Sequence, residues 1–371
     1  MHRLQNNDHI VIVGGGSIGL CTAYNLAKRS SDSSPQIRIT VIEVGTEPFK
    51  AASSSCTGCF HYGFTEPQLH SLLPLGRYSF DLWEDEAKNV KFREDTGYRA
   101  QSSFGLNSGS GQGLDKLPDW VRKEMSWDVN SSVLGDRTAT VWVYFIFCSF
   151  FFQATLLTTL YSNPPGVGKW LRSECLRNGV EIRTDLKVVG AKLLNDNEVQ
   201  EVVCLKNGQH TIRIECKQLL LACGPWTPTV YEMLFPSSPI RLQWTTDAGD
   251  WISFENPCPT TRDTTAFVSF ANLVGEKLEF AARNDGTIWA CGRRNFTATL
   301  PPPNQHNEPD LKLIEELSDY AKDWLNWNCD CDKTHDIDFQ LRSTGRAFRP
   351  ATKSGLPIIS EVSPLDLVGD L

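Results

Sequence analysis

The chain has 371 residues, with 36 lysines and arginines against 44 aspartates and glutamates, a net charge of −8 and 40% hydrophobic residues. That balance excludes disordered and collagen-like classes, and the length allows roughly two domains with a core that needs no staples. An acidic chain without a basic stripe does not suit a nucleic-acid partner. Its 12 cysteines are scattered too irregularly for a disulfide framework, and Met1 to Asp8 carries no apolar run of signal-peptide length. A reducing, cytoplasmic setting is therefore expected.

The first predicted element is a strand at His9-Ile10-Val11-Ile12-Val13, a β-branched run that ends in three glycines and leads into helix-period residues from Ser17 to Arg29. A second such run, Ile37 to Ile42, completes a strand, turn, helix, strand unit and ends on Glu43. Its turn reads Gly14-Gly15-Gly16-Ser17-Ile18-Gly19, a Gly-x-Gly-x-x-Gly in the place its mechanism needs. Gly14 permits a tight turn, Gly16 lets the backbone approach a pyrophosphate, and Gly19 keeps the helix close to the strand. The N–H groups and positive end of the helix opening at Ser17 and Ile18 would meet the phosphate charge. Glu43 can accept hydrogen bonds from both ribose hydroxyls of an adenosine, and an acid there repels a 2′-phosphate. A structural glycine turn is the competing reading, and the strand, helix and acid together favour dinucleotide binding.

Beyond Glu43 the pattern changes. A nicotinamide-binding domain would continue with further βαβ units, but a small-residue loop, Ala51 to Cys59, follows, and then a long interruption. Cys56-x-x-Cys59 has no second cysteine pair at zinc spacing, so no metal is expected. From Thr138 to Gly168 there is no charged residue, and Val141 to Phe152 is almost wholly aromatic and β-branched. A run of this length could cross a bilayer. Gln153 and several threonines dilute it, and its residue types suit a strand better than a helix. Residues 138–162 are thus set apart as an anomalous apolar insertion, with a membrane contact through 139–160 as a secondary expectation.

Regular patterning then resumes. Asn163-Pro164-Pro165 predicts a helix start, with Val167, Trp170 and Leu171 on one face and Asn178-Gly179 at its end. Asp185 to Leu193, Glu198 to Lys206 and His210 to Cys216 predict a meander whose last turn is Asn207-Gly208. Gln218 to Cys223 is apolar, as for a strand buried on both faces. From Ile240 to Arg294 the chain predicts antiparallel sheet, with a hairpin at Asn284-Asp285-Gly286. Pro301-Pro302-Pro303-Asn304 reads as a linker, and a helix follows between Pro309 and Asn326 with Leu313, Leu317, Ala321 and Trp324 on its apolar face.

These motifs, taken in order with Leu219-Leu220-Leu221-Ala222-Cys223, Gly224-Pro225-Trp226-Thr227-Pro228 and Gly345 to Ile359, resemble the FAD-dependent oxidoreductases of the D-amino-acid oxidase type. That superfamily includes glycine oxidase and sarcosine oxidase, and the resemblance is greatest to its fungal cytoplasmic members. It implies an α/β fold in which a Rossmann-like FAD-binding domain is interleaved with an antiparallel-sheet substrate domain. The FAD part would comprise 8–60, 163–235 and 340–371, and the substrate part 61–137 and 236–339. The resemblance assigns Gly14, Gly16, Gly19 and Glu43 to the ADP half, and Ser53, Ser54, Gly58 and Cys59 to the pyrophosphate and flavin. Val188 would meet the adenine through its backbone, and Gly224 with Trp226 would close over the cofactor. Arg346-Ala347-Phe348-Arg349-Pro350-Ala351-Thr352 with Gly355 to Ile359 is similar to a family segment whose arginine forks onto a substrate carboxylate, so Arg349 is the candidate there.

The implied activity is oxidation of the C–N bond of a small amine or amino acid by hydride transfer to flavin, with O2 as electron acceptor. No catalytic His or Asp is required, because hydride transfer depends on orientation. In the family a glycine-rich segment and a helix follow the Pro-Ile-Ile strand, so the chain reads as a C-terminally truncated member. A non-catalytic FAD-binding scaffold and a membrane-anchored protein are the alternative expectations.

Overall fold

The computed structural model of the chain describes residues 5–32, 36–60, 67–108, 118–121, 129–135, 159–194, 198–258, 266–271, 277–283, 285–305, 307–327 and 339–367. In chain order the first elements are β1 (His9–Val13), α1 (Ser17–Asp32), β2 (Arg38–Ile42), β3 (Cys59–Phe60), α2 (Leu73–Glu86) and α3 (Val90–Thr96). Next come β4 (Arg99–Ser108), β5 (Val129–Gly135), β6 (Thr159–Tyr161), α4 (Pro164–Arg177), β7 (Glu181–Arg183) and β8 (Leu186–Leu194). Then follow β9 (Glu198–Lys206), β10 (His210–Glu215), β11 (Gln218–Leu221), α5 (Thr227–Leu234) and β12 (Thr245–Glu255). The last are β13 (Ala266–Ala271), β14 (Lys277–Ala282), β15 (Thr287–Asn295), α6 (Leu311–Trp324) and β16 (Leu341–Ala351).

The N-terminal half is built on a parallel sheet in the order β11-β1-β2-β7. β1 is central and apolar from Ile10 to Val13 because both its faces are covered there. Ile10 and Ile12, with Ile39 and Val41 of β2, face Leu20, Ala23 and Tyr24 of α1 and Val167, Trp170 and Leu171 of α4. Val11, Val13 and Ile42 point the other way, into Leu186, Val188, Val202, Cys204 and Ile214 of the meander β8-β9-β10 and Tyr231 and Leu234 of α5. The meander turns at Asn207-Gly208, both with positive φ, as its hairpin signal predicts. β11 differs from expectation. It lies at the edge of the described sheet, and its residues are half-buried rather than covered on both faces.

The helices α2 and α3 occupy part of the long interruption after the small-residue loop. They pack against the parallel-sheet half: Phe80, Phe92 and Tyr98 are buried with Trp170, and the Phe92 and Trp170 rings meet edge-on at 4.7 Å. Residues 73–98 therefore join α1 and α4, although the sequence grouped 61–137 with the substrate part. Aromatic packing decides the placement.

The second sheet runs β16-β12-β15-β14-β13-β4-β6-β3, with β5 added to β4. It is antiparallel except where β13 meets β4. One face packs on α6 through Ile252, Phe254, Phe280, Ile288, Ile314, Leu317, Ala321 and Trp324. Ile314 takes the place expected of Leu313, which is only half-buried. Asp310 starts the helix by accepting a hydrogen bond from the Lys312 N–H. β16, grouped by sequence with the FAD part, pairs along its length with β12. Most of the anomalous apolar segment, and Asn284 of the expected hairpin, lie outside the described residues. The end of that segment forms β6 between β4 and β3.

Candidate active site

The glycine turn between β1 and α1 has the shape its sequence implies. Gly14 takes φ +109°, and a Cβ there would overlap the Ala222 carbonyl oxygen of the loop after β11. A Cβ at Gly19 would overlap the carbonyl of Gly14, so the helix approaches the strand as only glycine permits. Gly16 faces open space: among the described residues its Cβ would meet only the Ser53 hydroxyl within 4 Å, at 3.2 Å. Ile18 is 67% exposed in the first turn of α1, where N–H groups have no helical acceptor. The helix end is therefore accessible at Ile18, while its Ser17 N–H is taken by Ser53.

Glu43, at the end of β2, is turned back to this loop. Its Oε2 accepts from the Gly15 N–H at 2.9 Å and its Oε1 from the Gly45 N–H at 2.8 Å. The backbone zips the same corner to the meander, since the Asp185 N–H donates to the Gly45 carbonyl and the Leu186 N–H to that of Glu43. Val188 follows on β8, buried, at a register shift between Val188 and Gly190. The acid and Val188 thus share one end of the parallel sheet.

The small-residue loop crosses the helix end. Ser53 Oγ accepts from the Ser17 N–H at 2.9 Å, and Ser54 closes a turn onto the Ala51 carbonyl. At Gly58 a Cβ would strike the Ser162 carbonyl, and Cys59 then enters β3 opposite Tyr161. On the opposite side Gly224 is exposed, and Trp226 is tied by its indole N–H to the Pro301 carbonyl at 2.7 Å. Burial and the nearby Glu43 carboxylate push the Cys223 thiol up to about 12. That thiol is inert at neutral pH.

The large sheet presents one face to α6 and the other to the small-residue loop. On the loop side, the Thr57 hydroxyl donates to Glu279 of β14 at 3.2 Å, and Cys291 of β15 lies 3.8 Å from the same carboxylate. Burial, followed by Glu279, holds the Cys291 thiol well above its ordinary range, while Arg349 acts electrostatically in the opposite sense. Arg349 belongs to this face: it sits opposite Asp247 in register and pairs with that buried carboxylate at 3.1 Å, its side chain 51% exposed. Arg346, three residues earlier, points to the α6 side and forks onto buried Asp250 at 2.8 and 2.7 Å. Arg283 also stacks near Trp289, and its buried Nε and Nη2 have no hydrogen-bond partner among the described residues. Sequence reading missed Glu279, Cys291, Asp247 and Arg283. The available signal was the alternation along β14 and β15, where Leu278, Phe280 and Ala282 mark the core face and leave Glu279 and Arg283 on the other.

A family model for FAD dependent oxidoreductases matches residues 9–369. The chain belongs to that family. A Schizosaccharomyces pombe protein named as an oxidoreductase is 26% identical over 234 residues, which cover 61% of this chain and 56% of that protein. The Saccharomyces cerevisiae protein TDA3, also named as an oxidoreductase, is 32% identical over 104 residues, 28% of this chain and 18% of its own. The chain thus spans little more than half the length of the first relative. Among solved structures, glycine oxidase from Geobacillus kaustophilus superposes with a TM-score of 0.66 at 14% identity, covering 96% of this chain and 86% of that one. An FAD-bound L-alpha-glycerophosphate oxidase from Mycoplasma pneumoniae gives 0.67 at 14% identity, covering 98% and 88%. These likenesses show the fold: an α/β FAD-binding part with a sheet-rich second part.

The residues of this member of the FAD dependent oxidoreductase family fit that cofactor. The space over Gly16, which a Cβ would fill, the open first turn of α1 and the backward-turned Glu43 form a cradle for an adenine dinucleotide. Gly14, Gly16, Ser17, Ile18, Gly19 and Glu43 would hold the ADP half, and Ser53, Ser54, Gly58 and Cys59 the approach to the flavin. Bound FAD supplies a two-electron hydride acceptor. No helix among the described residues is long and apolar enough to cross a membrane.

Proposed function

We propose that the chain oxidises the C–N bond of a small amine or amino acid, with its hydride passing to FAD and O2 as the electron acceptor. The observation that carries this reading is Arg349, a half-exposed guanidinium on the sheet face that meets the small-residue loop. A planar fork of N–H donors suits a carboxylate better than a lysine does. Arg349 would hold the substrate by that group and so fix the Cα–H bond relative to the cofactor, the contribution that orientation makes to such reactions. As hydride leaves Cα, the nitrogen lone pair forms the C=N bond, and water adds to the imine to release the carbonyl product and free amine. O2 takes up the two electrons and two protons as H2O2. Val188, Gly224 and Trp226 serve the cofactor: Val188 the adenine through its backbone, the other two by closing over it. Glycine oxidase and the L-amino acid deaminases of Proteus, whose folds this chain shares, are named for amino-acid substrates, which supports the same class.

The test is an absorption spectrum of the purified chain, with flavin bands near about 450 nm, followed by anaerobic addition of an amine and amino-acid panel. Bleaching of bound flavin by one member of the panel is expected. Flavin that no amine reduces would overturn the reading and leave an FAD-binding scaffold.

A further inference from the structure

We infer that Arg294 is a second substrate-anion contact, which makes the site a two-guanidinium clamp specific for amino acids rather than neutral amines. The inference rests on the reading of Arg349 above and extends it to a residue on another strand. Asp247 of β12 is the anchor: its side chain is 1% exposed, and its Oδ2 meets the Nη2 of Arg294 at 2.6 Å and the Nη2 of Arg349 at 3.1 Å. Both arginines are about half exposed, at 54% and 51%, so neither is a buried structural cation. Asp247 offsets one of the two charges, and the other carboxylate on this face, Glu279, is held by Thr57 beside Cys291. Both guanidiniums keep donor groups not engaged by Asp247.

The backbone explains why Arg294 arrives there. Trp251 pairs with Cys291, but the next pair, Gly249 with Arg294, advances two residues on β12 and three on β15. This bulge returns Arg294 to the face that carries Cys291, which strict alternation would deny to a residue three places along. Between the two arginines stands Gly249, which pairs with Arg294 across one ladder, next to the Asp247–Arg349 pair of the other. A Cβ on Gly249 would lie 3.4 Å from Arg349 Nη2, so a larger residue would intrude beneath that guanidinium. The Arg294 guanidinium carbon also lies 5.4 Å from the centroid of the Phe296 ring, a cation–π contact. Two guanidiniums that would repel each other are thus held together by a buried acid. An incoming carboxylate relieves that repulsion.

The experiment titrates FAD-loaded protein with propionate, and with propionamide as its neutral counterpart, by calorimetry and by the shift of the flavin spectrum. Arg294→Met is expected to weaken propionate at least about tenfold, the scale of one charge-assisted hydrogen bond, with propionamide and FAD content unchanged. Arg349→Met should weaken it comparably. Wild-type propionate affinity in Arg294→Met with a loss in Arg349→Met would overturn the inference and keep the proposed function. Should the Met variant not fold, Arg294→Lys, which keeps a cation beside Asp247 without the fork, carries the test: several-fold weaker propionate supports the clamp, and unchanged affinity overturns it. Wild-type protein that ignores propionate also overturns it, and flavin bleaching by a neutral amine would then show that C–N oxidation stands without a carboxylate site.

Discussion

Substituting Gly16 by alanine separates cofactor binding from folding. At Gly16 the backbone is not left-handed, and among the described residues the only atom near an added Cβ is the Ser53 hydroxyl at 3.2 Å, which can shift by a few tenths of an ångström. Gly16 is the residue before α1, its carbonyl accepting from the Leu20 N–H, and at such a helix cap alanine is disfavoured against glycine by up to about 1 kcal/mol. The apoprotein should therefore keep its stability within about 1 kcal/mol, a Tm change of a few degrees at most. A pyrophosphate reaching the first turn of α1 would meet the new methyl, and losing one charge-assisted hydrogen bond costs about 1.5–3 kcal/mol. FAD should bind roughly 10- to 150-fold more weakly. Gly14→Ala is the contrast: φ +109° and the overlap with the Ala222 carbonyl, a backbone atom that cannot swing aside, should cost at least about 3 kcal/mol in the apoprotein. Thermal unfolding without cofactor and quenching of flavin fluorescence on titration measure the two quantities. Wild-type FAD affinity in Gly16→Ala, or an apoprotein as unstable as Gly14→Ala, would refute the reasoning.

Glu43→Ala leaves the Gly15 and Gly45 N–H groups without their acceptor, so the apoprotein should lose about 1–3 kcal/mol in urea unfolding besides losing FAD, and Glu43→Lys should lower flavin content further. Arg346 and Arg349 should behave oppositely. Arg346→Ala strands the buried Asp250 charge and should cost about 3–5 kcal/mol, whereas Arg349→Ala leaves Arg294 on Asp247 and should change stability little while turnover of carboxylate substrates falls. Denaturation curves and steady-state kinetics of the two variants check this. Burial pushes Cys21, Cys175, Cys216 and Cys223 up to about 12 and Cys204 to about 11, from an ordinary value of 9.0. Because the unfolded chain releases these protons first, their stabilising contribution is intact below pH 9 and is lost as pH rises toward 11 or 12, at up to about 1.4 kcal/mol per pH unit for each thiol. Urea unfolding at pH 8 and 10 should show this loss, smaller in Cys216→Ala; an equal loss in that variant would exclude the thiol as its source.

The parallel-sheet half of the molecule was legible because its information is local. β1, the glycine turn, α1 and the acid at the end of β2 are contiguous, and each residue type there answers a constraint within a few residues: a positive φ at Gly14, a close helix at Gly19, a free helix end. The meander and its Asn207-Gly208 turn are local in the same sense. The substrate side was not legible to the same degree. That Arg349 lies on the loop side of its sheet while Arg346 faces α6 depends on the pleat of β16 against β12, whose partner is about a hundred residues away in sequence. Glu279 and Cys291 became site residues only when Thr57 reached across from another part of the chain.

The sequence by itself determined a strand, glycine turn and helix, an acid at the end of the next strand and the family to which they point, since short-range sterics and hydrogen bonding leave few other uses for those residues in that order. Only the tertiary structure decided that α2 and α3 pack on the parallel-sheet half, that Asp247 gathers two arginines from separate strands, and that a bulge turns Arg294 toward them. Those outcomes rest on pairing and packing between distant segments, and no local periodicity encodes which partner a strand will find.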